Sequence, residues 1–315
     1  MGNLFVEDSE ILVTKSPFSA YEGEIKKYDG RQSPISLDHI MIKVKKEDVN
    51  GIDFDILEAI YSLEYSTSRM ITQYLSIKGI NSEQSKIQNR LNYLNKLSII
   101  SRYKVVNDET ETNTRIYCLE RVGKYLLLSR DIPCKWVATD SAKSLPMMKR
   151  ILARNQVLLT YLRRLNNVES HTVNPHIKTK SNSFNPDLQI NLINHQGTIE
   201  SFIFITSRSY DGEIEGTMEL IKSYEEYIVN FVPNPPNILQ PPKLVVVGED
   251  DKHLFEIFKQ VLTHKVKLSN NDLFFTSDLR VIGGELNRSI IQFAIVKESN
   301  KFKPIIKELN FELFK

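Results

Sequence analysis

The chain has 315 residues, with 41 Lys and Arg against 39 Asp and Glu. At 41% hydrophobic and 25% charged it has the composition of a soluble globular protein, long enough for two domains with separate cores. A net charge of +2 excludes a polycation, so any nucleic-acid surface must come from local segregation of charge. The two cysteines, Cys118 and Cys134, lie far from any second Cys/His cluster, which argues against a zinc site. No run approaches the roughly 20 apolar residues of a membrane span, and acids stand where a secretory leader would carry Lys or Arg. We expect a cytoplasmic protein with no cofactor and no membrane partner.

Residues 1–50 read as an arm, with short strands at 11–14 and 39–44. Ser16, Pro17, Gly23, Gly30 and Pro34 interrupt any longer element, and Lys43, Lys45 and Lys46 form the one dense basic run. Residues 51–132 read as a winged helix-turn-helix. The first helix, 53–65, carries the stripe Ile56, Leu57, Ile60, Tyr61, Leu63. Ser66 or Thr67 caps the second, whose apolar set is Met70, Ile71, Tyr74 and Leu75 before Gly79 stops it. Asn81 is expected to cap the third helix, with Gln84 at the reciprocal position. Ile87, Leu91, Leu94 and Leu97 repeat at helical spacing and define its buried face.

The other face offers Ser82, Gln84, Ser85, Lys86, Gln88, Asn89, Arg90 and Asn92, side chains that bond base edges and phosphates. Over 81–104 five cations (Lys86, Arg90, Lys96, Arg102, Lys104) face one acid, Glu83. Strands at 99–106 and 115–119 follow. The turn between them carries Asp108, Glu109 and Glu111, so the expected contacts fall on the third helix and on the hairpin base, at Arg102, Lys104 and Arg115. A helix at 122–129 closes the unit.

Residues 133–146 form a linker, and its Trp136, the only tryptophan, suggests that it packs down. From 147 to about 165 a helix carries Lys149, Arg150 and Arg154 and no acid, a second candidate phosphate surface beside the plainer reading of a solvated face. The remainder of 147–315 alternates strands (169–173, 187–193, 199–206, 243–247, 273–276, 290–296) with helices (214–231, 251–263), and 302–315 pairs at an edge. Continuous apolar strands between helices imply a mixed α/β sheet with helices on its faces.

Asn185-Pro186-Asp187 opens a strand and 199–206 is the next strand, the layout of a restriction-endonuclease-like fold. That chemistry needs two carboxylates on Mg²⁺ and a nearby lysine. Asp187 and Glu200 are weak metal candidates, because Phe204, Ile205 and Thr206 stand where an acid and a lysine belong. Gly248-Glu249-Asp250-Asp251 is too acidic for a phosphate loop, and the six histidines show no ligand spacing.

Taken together, 52–119, the helix beginning at Arg150, Asn185-Pro186-Asp187, 202–208, Ser223-Tyr224-Glu225-Glu226-Tyr227, 244–248 and Leu273-Phe274-Phe275-Thr276-Ser277-Asp278 resemble the replication-relaxation family of plasmid and mobile-element proteins. The resemblance covers about residues 52–280 and rests on the order of elements. It implies double-stranded DNA binding in replication, relaxation or conjugative processing, with relaxase or replication proteins as partners and a homodimer as an option. In that family the strand matching 202–208 commonly carries acids, where this chain has Ile205 and Ser207. The expected function is therefore a non-enzymatic DNA-binding accessory protein. A transcription regulator with a sensing domain and a nuclease using Asp187 and Glu200 are the alternatives.

Overall fold

The computed structural model describes residues 16–19, 21, 23–30, 35–107, 112–210, 212–233, 240–269, 272–298 and 301–314. The chain divides into two compact units, Ala20–Asn155 and Gln156–Lys315, the latter together with the stretch that ends at Ser19. The architecture is mixed α and β, with a mixed sheet in the second unit.

The first unit opens with β1 (Ile25–Tyr28) and α1 (Leu37–Lys45). The strand expected at 39–44 is therefore a helix. Ser36 accepts the His39 amide, Asp38 lies in the first turn, and Lys43 and Lys45 lie in the last, so capping and the helix dipole outweigh the β-branched run. The strand expected at 11–14 lies outside the described residues. Next come α2 (Gly51–Leu63), β2 (Tyr65–Ser66), α3 (Ser68–Ile77) and α4 (Gln84–Lys96). Thr67 caps α3 through the Met70 amide. The N-cap of α4 is Glu83 and not Asn81, so Ser82 precedes the helix and Gln84 opens it.

The hairpin of β3 (Ile100–Asn107) and β4 (Thr112–Leu119) follows, then α5 (Arg121–Leu128). The sheet order is β1-β3-β4-β2. Residues 108–111, with the acids expected at the turn, lie outside the described residues. Helices α2, α3 and α4 bury Ile56, Leu57, Ile60, Met70, Ile71, Ile87, Leu91 and Leu94, while the hairpin buries Tyr103, Val105 and Ile116 on the face opposite Arg102 and Tyr117. Gly123 packs so closely that a Cβ there would meet the Ile99 carbonyl oxygen at 2.6 Å. The 133–146 stretch holds a short 3-10 helix, Ala138–Ser141, and buries Trp136, whose carbonyl accepts Lys124 Nζ at 2.8 Å.

Helix α6 (Leu145–Arg164) contains the division between the units. The second unit then comprises β5 (Val168–Val173), β6 (Ile177–Lys178), β7 (Ser183–Phe184), β8 (Leu188–Ile193), β9 (Ile199–Thr206), α7 (Glu213–Val229), β10 (Lys243–Gly248), α8 (Asp251–Thr263), β11 (Leu273–Ser277), α9 (Asp278–Gly283), β12 (Ile291–Glu298) and β13 (Lys301–Glu308). Its seven-stranded sheet runs β13-β12-β11-β10-β9-β8-β5. β9, β10 and β11 are mutually parallel, and the outer pairings are antiparallel. The parallel centre is buried on both faces, which is why its strands are apolar without alternation. One face packs under α7 and α8 through Ile203, Ile205, Leu244, Val246, Met218, Ile221, Leu254 and Ile257. On the other, Tyr161 sits edge-on to Phe204 and Phe314.

Candidate nucleic-acid interface

Helix α4 carries three cations and no acid within Gln84–Lys96. Because Ile87, Leu91 and Leu94 are buried at helical spacing, the opposite side must face water: Gln84, Ser85, Lys86, Gln88, Asn89 and Lys96 are all exposed. The Lys86 ammonium lies 3.5 Å from Glu83, but both side chains are 70% exposed, and such a surface pair holds the charge only weakly.

Two cations expected at the interface, Arg90 on α4 and Arg102 at the hairpin base, are engaged elsewhere. Arg90 turns back toward α2. Its Nε lies 2.8 Å from Asp53 Oδ1, a second nitrogen bonds Asp53 Oδ2, and it also donates to the Asp48 carbonyl at 2.7 Å. Asp53 is fully buried, so this pair is an internal staple and not a free phosphate contact. Arg102 donates to the Asp29 carbonyl at 3.2 Å and to Asn92 Oδ1 at 2.6 Å, and it pairs with the Asp29 carboxylate at 2.9 Å. Through Asn92 it ties α4 to the hairpin. Lys104 is half-buried opposite Arg115, and Arg115 is exposed.

Beside this face the start of α3, the side of α4 and the edge of β4 enclose a cleft of about 290 Å³, lined by Thr67, Ser68, Gln88, Thr114, Arg115 and Tyr117. Gln88 Nε2 donates to Ser68 Oγ at 3.4 Å, joining the two helices across its floor. The roles of Ser68 and Thr114 escape sequence reasoning. The available signal is the hydroxyl run Ser66-Thr67-Ser68 immediately before an exposed Arg69.

The second basic surface expected on α6 is not formed. Lys149 is buried and ion-paired with Glu24. Arg154 is buried, and its Nη1 donates to Glu64 at 2.8 Å while Nη2 reaches the Leu63 carbonyl. Arg150 is half-buried beside them. Burial alone would raise the Glu64 carboxyl, but Arg154 and Lys143 outweigh it and hold the group at about 2. Lys149 and Arg154 thus neutralise carboxylates of their own unit and are not presented to solvent.

In the other unit the two metal candidates do not share a site. Asp187 precedes β8 and its Oδ2 accepts from the Thr206 amide at 2.7 Å and hydroxyl at 3.0 Å, at the end of β9. Glu200 lies near the start of β9, beside Leu192, with Lys243 at 2.5 Å. Six residues of strand separate Thr206 from Glu200, roughly 20 Å at the usual rise. Among the described residues no group of three or more His, Cys, Asp or Glu could hold a metal ion. A Ser207–His253 pair, 3.5 Å apart, looks like a nucleophile and base. However, His253 Nδ1 accepts the Glu249 amide, so the neutral ring carries its proton on Nε2 and donates toward Ser207. That ring is oriented the wrong way to take the serine proton.

No family model, curated protein or solved structure matches the chain. Among the described residues no helix is long and apolar enough to cross a membrane.

Proposed function

We propose that residues 51–132, within the Ala20–Asn155 unit, form a winged helix-turn-helix that binds double-stranded DNA. The chain would then serve as a non-enzymatic accessory protein of a plasmid or mobile element, as its resemblance to replication-relaxation proteins suggests. The observation that carries this reading is the acid-free exposed face of α4, with Ser85, Lys86, Gln88 and Asn89 beside a cleft holding Arg115. The order α2-β2-α3-α4-β3-β4, with β2 closing the sheet against β4, supports the winged-helix reading. An α-helix fits the major groove, and these side chains match base-edge and phosphate groups there.

The order α6-β5-β8-β9-α7-β10 supports a nuclease-like ancestry for the other unit. The distance between Asp187 and Glu200, and their engagement with Thr206 and Lys243, favours a binding or docking role over metal-dependent cleavage.

The test is duplex binding by fluorescence anisotropy over a salt series. Lys86→Ala should lower the log–log salt slope by about 0.9 with unfolding unchanged. Wild-type protein that binds no duplex at low salt, or a Lys86→Ala slope equal to wild type, would overturn the assignment.

A further inference from the structure

The cleft between α3, α4 and β4 has a chemistry of its own. Its walls supply the Arg115 guanidinium, the Gln88 amide, the hydroxyls of Thr67 and Ser68, the Tyr117 ring and the Thr114 backbone, and among the described residues no carboxylate. Arg115 makes no ion pair among the described residues, whereas Arg90 and Arg102 nearby are both committed to acids. A guanidinium with no acid among the described residues, beside hydroxyl and amide donors, suits a tetrahedral oxyanion, which accepts from several directions at once.

The backbone adds to this. Thr67 takes the Met70 amide with its hydroxyl and the Ile71 amide with its carbonyl. The Ser68 and Arg69 amides, in the first turn of a ten-residue helix, have no intrahelical acceptor. Gln88 donates one amide hydrogen to Ser68, which fixes the carboxamide at the cleft and leaves its second hydrogen for a ligand.

We infer that this cleft is a phosphate site: it takes one backbone phosphate of a nucleic acid, and Gln88 and Arg115 act there as anchors that read no base. The inference deepens the DNA-binding reading and rests on it for the identity of the ligand. The site itself requires only a tetrahedral oxyanion. The division of labour on α4 then follows: Ser85, Lys86 and Asn89 face the groove, while Gln88 faces the phosphate.

The experiment uses the full chain in two arms. In the first, inorganic phosphate is titrated while the amide resonances of Ser68 and Gln88 are followed. Saturable shifts are expected in wild type and their loss in Arg115→Ala. In the second, Arg115→Ala is titrated with two unrelated duplexes. Affinity should fall about tenfold for both, with the salt slope lower by about 0.9. Phosphate shifts that persist in Arg115→Ala, or a loss confined to one duplex, overturn the inference while leaving duplex binding intact. Saturable phosphate binding without any duplex binding would keep the site and remove DNA as its ligand. Gln88→Ala repeats both arms should Arg115→Ala not fold.

Discussion

Arg90→Ala should unfold this protein more readily, even though its position on α4 invites a DNA-binding interpretation. Asp53 is fully buried, and its carboxylate is met by Arg90 and by the Asn50 amide at 2.9 Å. Removing the guanidinium leaves the carboxylate in the interior with one donor, a loss of about 3 kcal/mol, at the low end for a broken buried pair because Arg90 is partly exposed. With a urea dependence of about 1.5 kcal/mol per molar, the midpoint should fall by about 2 M. The single tryptophan, Trp136, is buried within Ala20–Asn155, so its fluorescence follows this unit. Asp53→Asn with Arg90→Met keeps an acceptor for Asn50 and removes both charges, and should recover most of the loss. A wild-type midpoint for Arg90→Ala, together with lost duplex affinity, would refute the staple and return Arg90 to the interface.

Two further outcomes are expected. The Glu64 carboxyl sits at about 2 instead of 4.5, so its contribution is complete above pH 4.5 and disappears as pH falls toward 2. The full shift corresponds to roughly 3 kcal/mol, less some screening at a quarter-exposed side chain. Glu64→Gln should flatten this acid limb in urea titrations at stepped pH, and an unchanged limb would show that other carboxyls carry it. The Tyr161 hydroxyl is buried with no hydrogen-bond partner among the described residues, and burial pushes its pKa up. Tyr161→Phe should therefore be neutral or stabilising by up to about 1 kcal/mol, and a loss of similar size by calorimetry would mean that the hydroxyl has a partner.

The sequence was most legible where burial is two-sided. Leu244, Val245, Val246 and Val247 are apolar without interruption because β10 has neighbours on both edges and helices or aromatic side chains on both faces. Periodicity likewise placed α2, α3 and α4 to within a few residues. It misplaced Arg90, which lies three residues after Ile87 and one before Leu91, at the margin of the buried stripe. There a long side chain can turn inward, and the acid that drew it in, Asp53, lies 37 residues away. Lys149 and Arg154 were misread for a related reason. Met148, Ile151, Leu152, Ala153 and Val157 are buried around them, and a helix covered on most sides buries its cations too, provided that acids such as Glu24 and Glu64 meet them. Those partners are distant in sequence and carry no local signature. The cleft was invisible because Thr67, Gln88 and Arg115 belong to three separate elements.

The division of the chain also bears on how it is made. Ser16 Oγ donates to Asp278 Oδ2 at 2.5 Å, across 262 residues, and both belong to the Gln156–Lys315 unit. Ala20–Asn155 is contiguous, so on the ribosome it can complete its core while the rest is still being synthesised. The other unit is discontinuous. Ser16 precedes Ala20–Asn155 in the chain but obtains its partner only after Asp278 has been added, so this contact within the unit forms late.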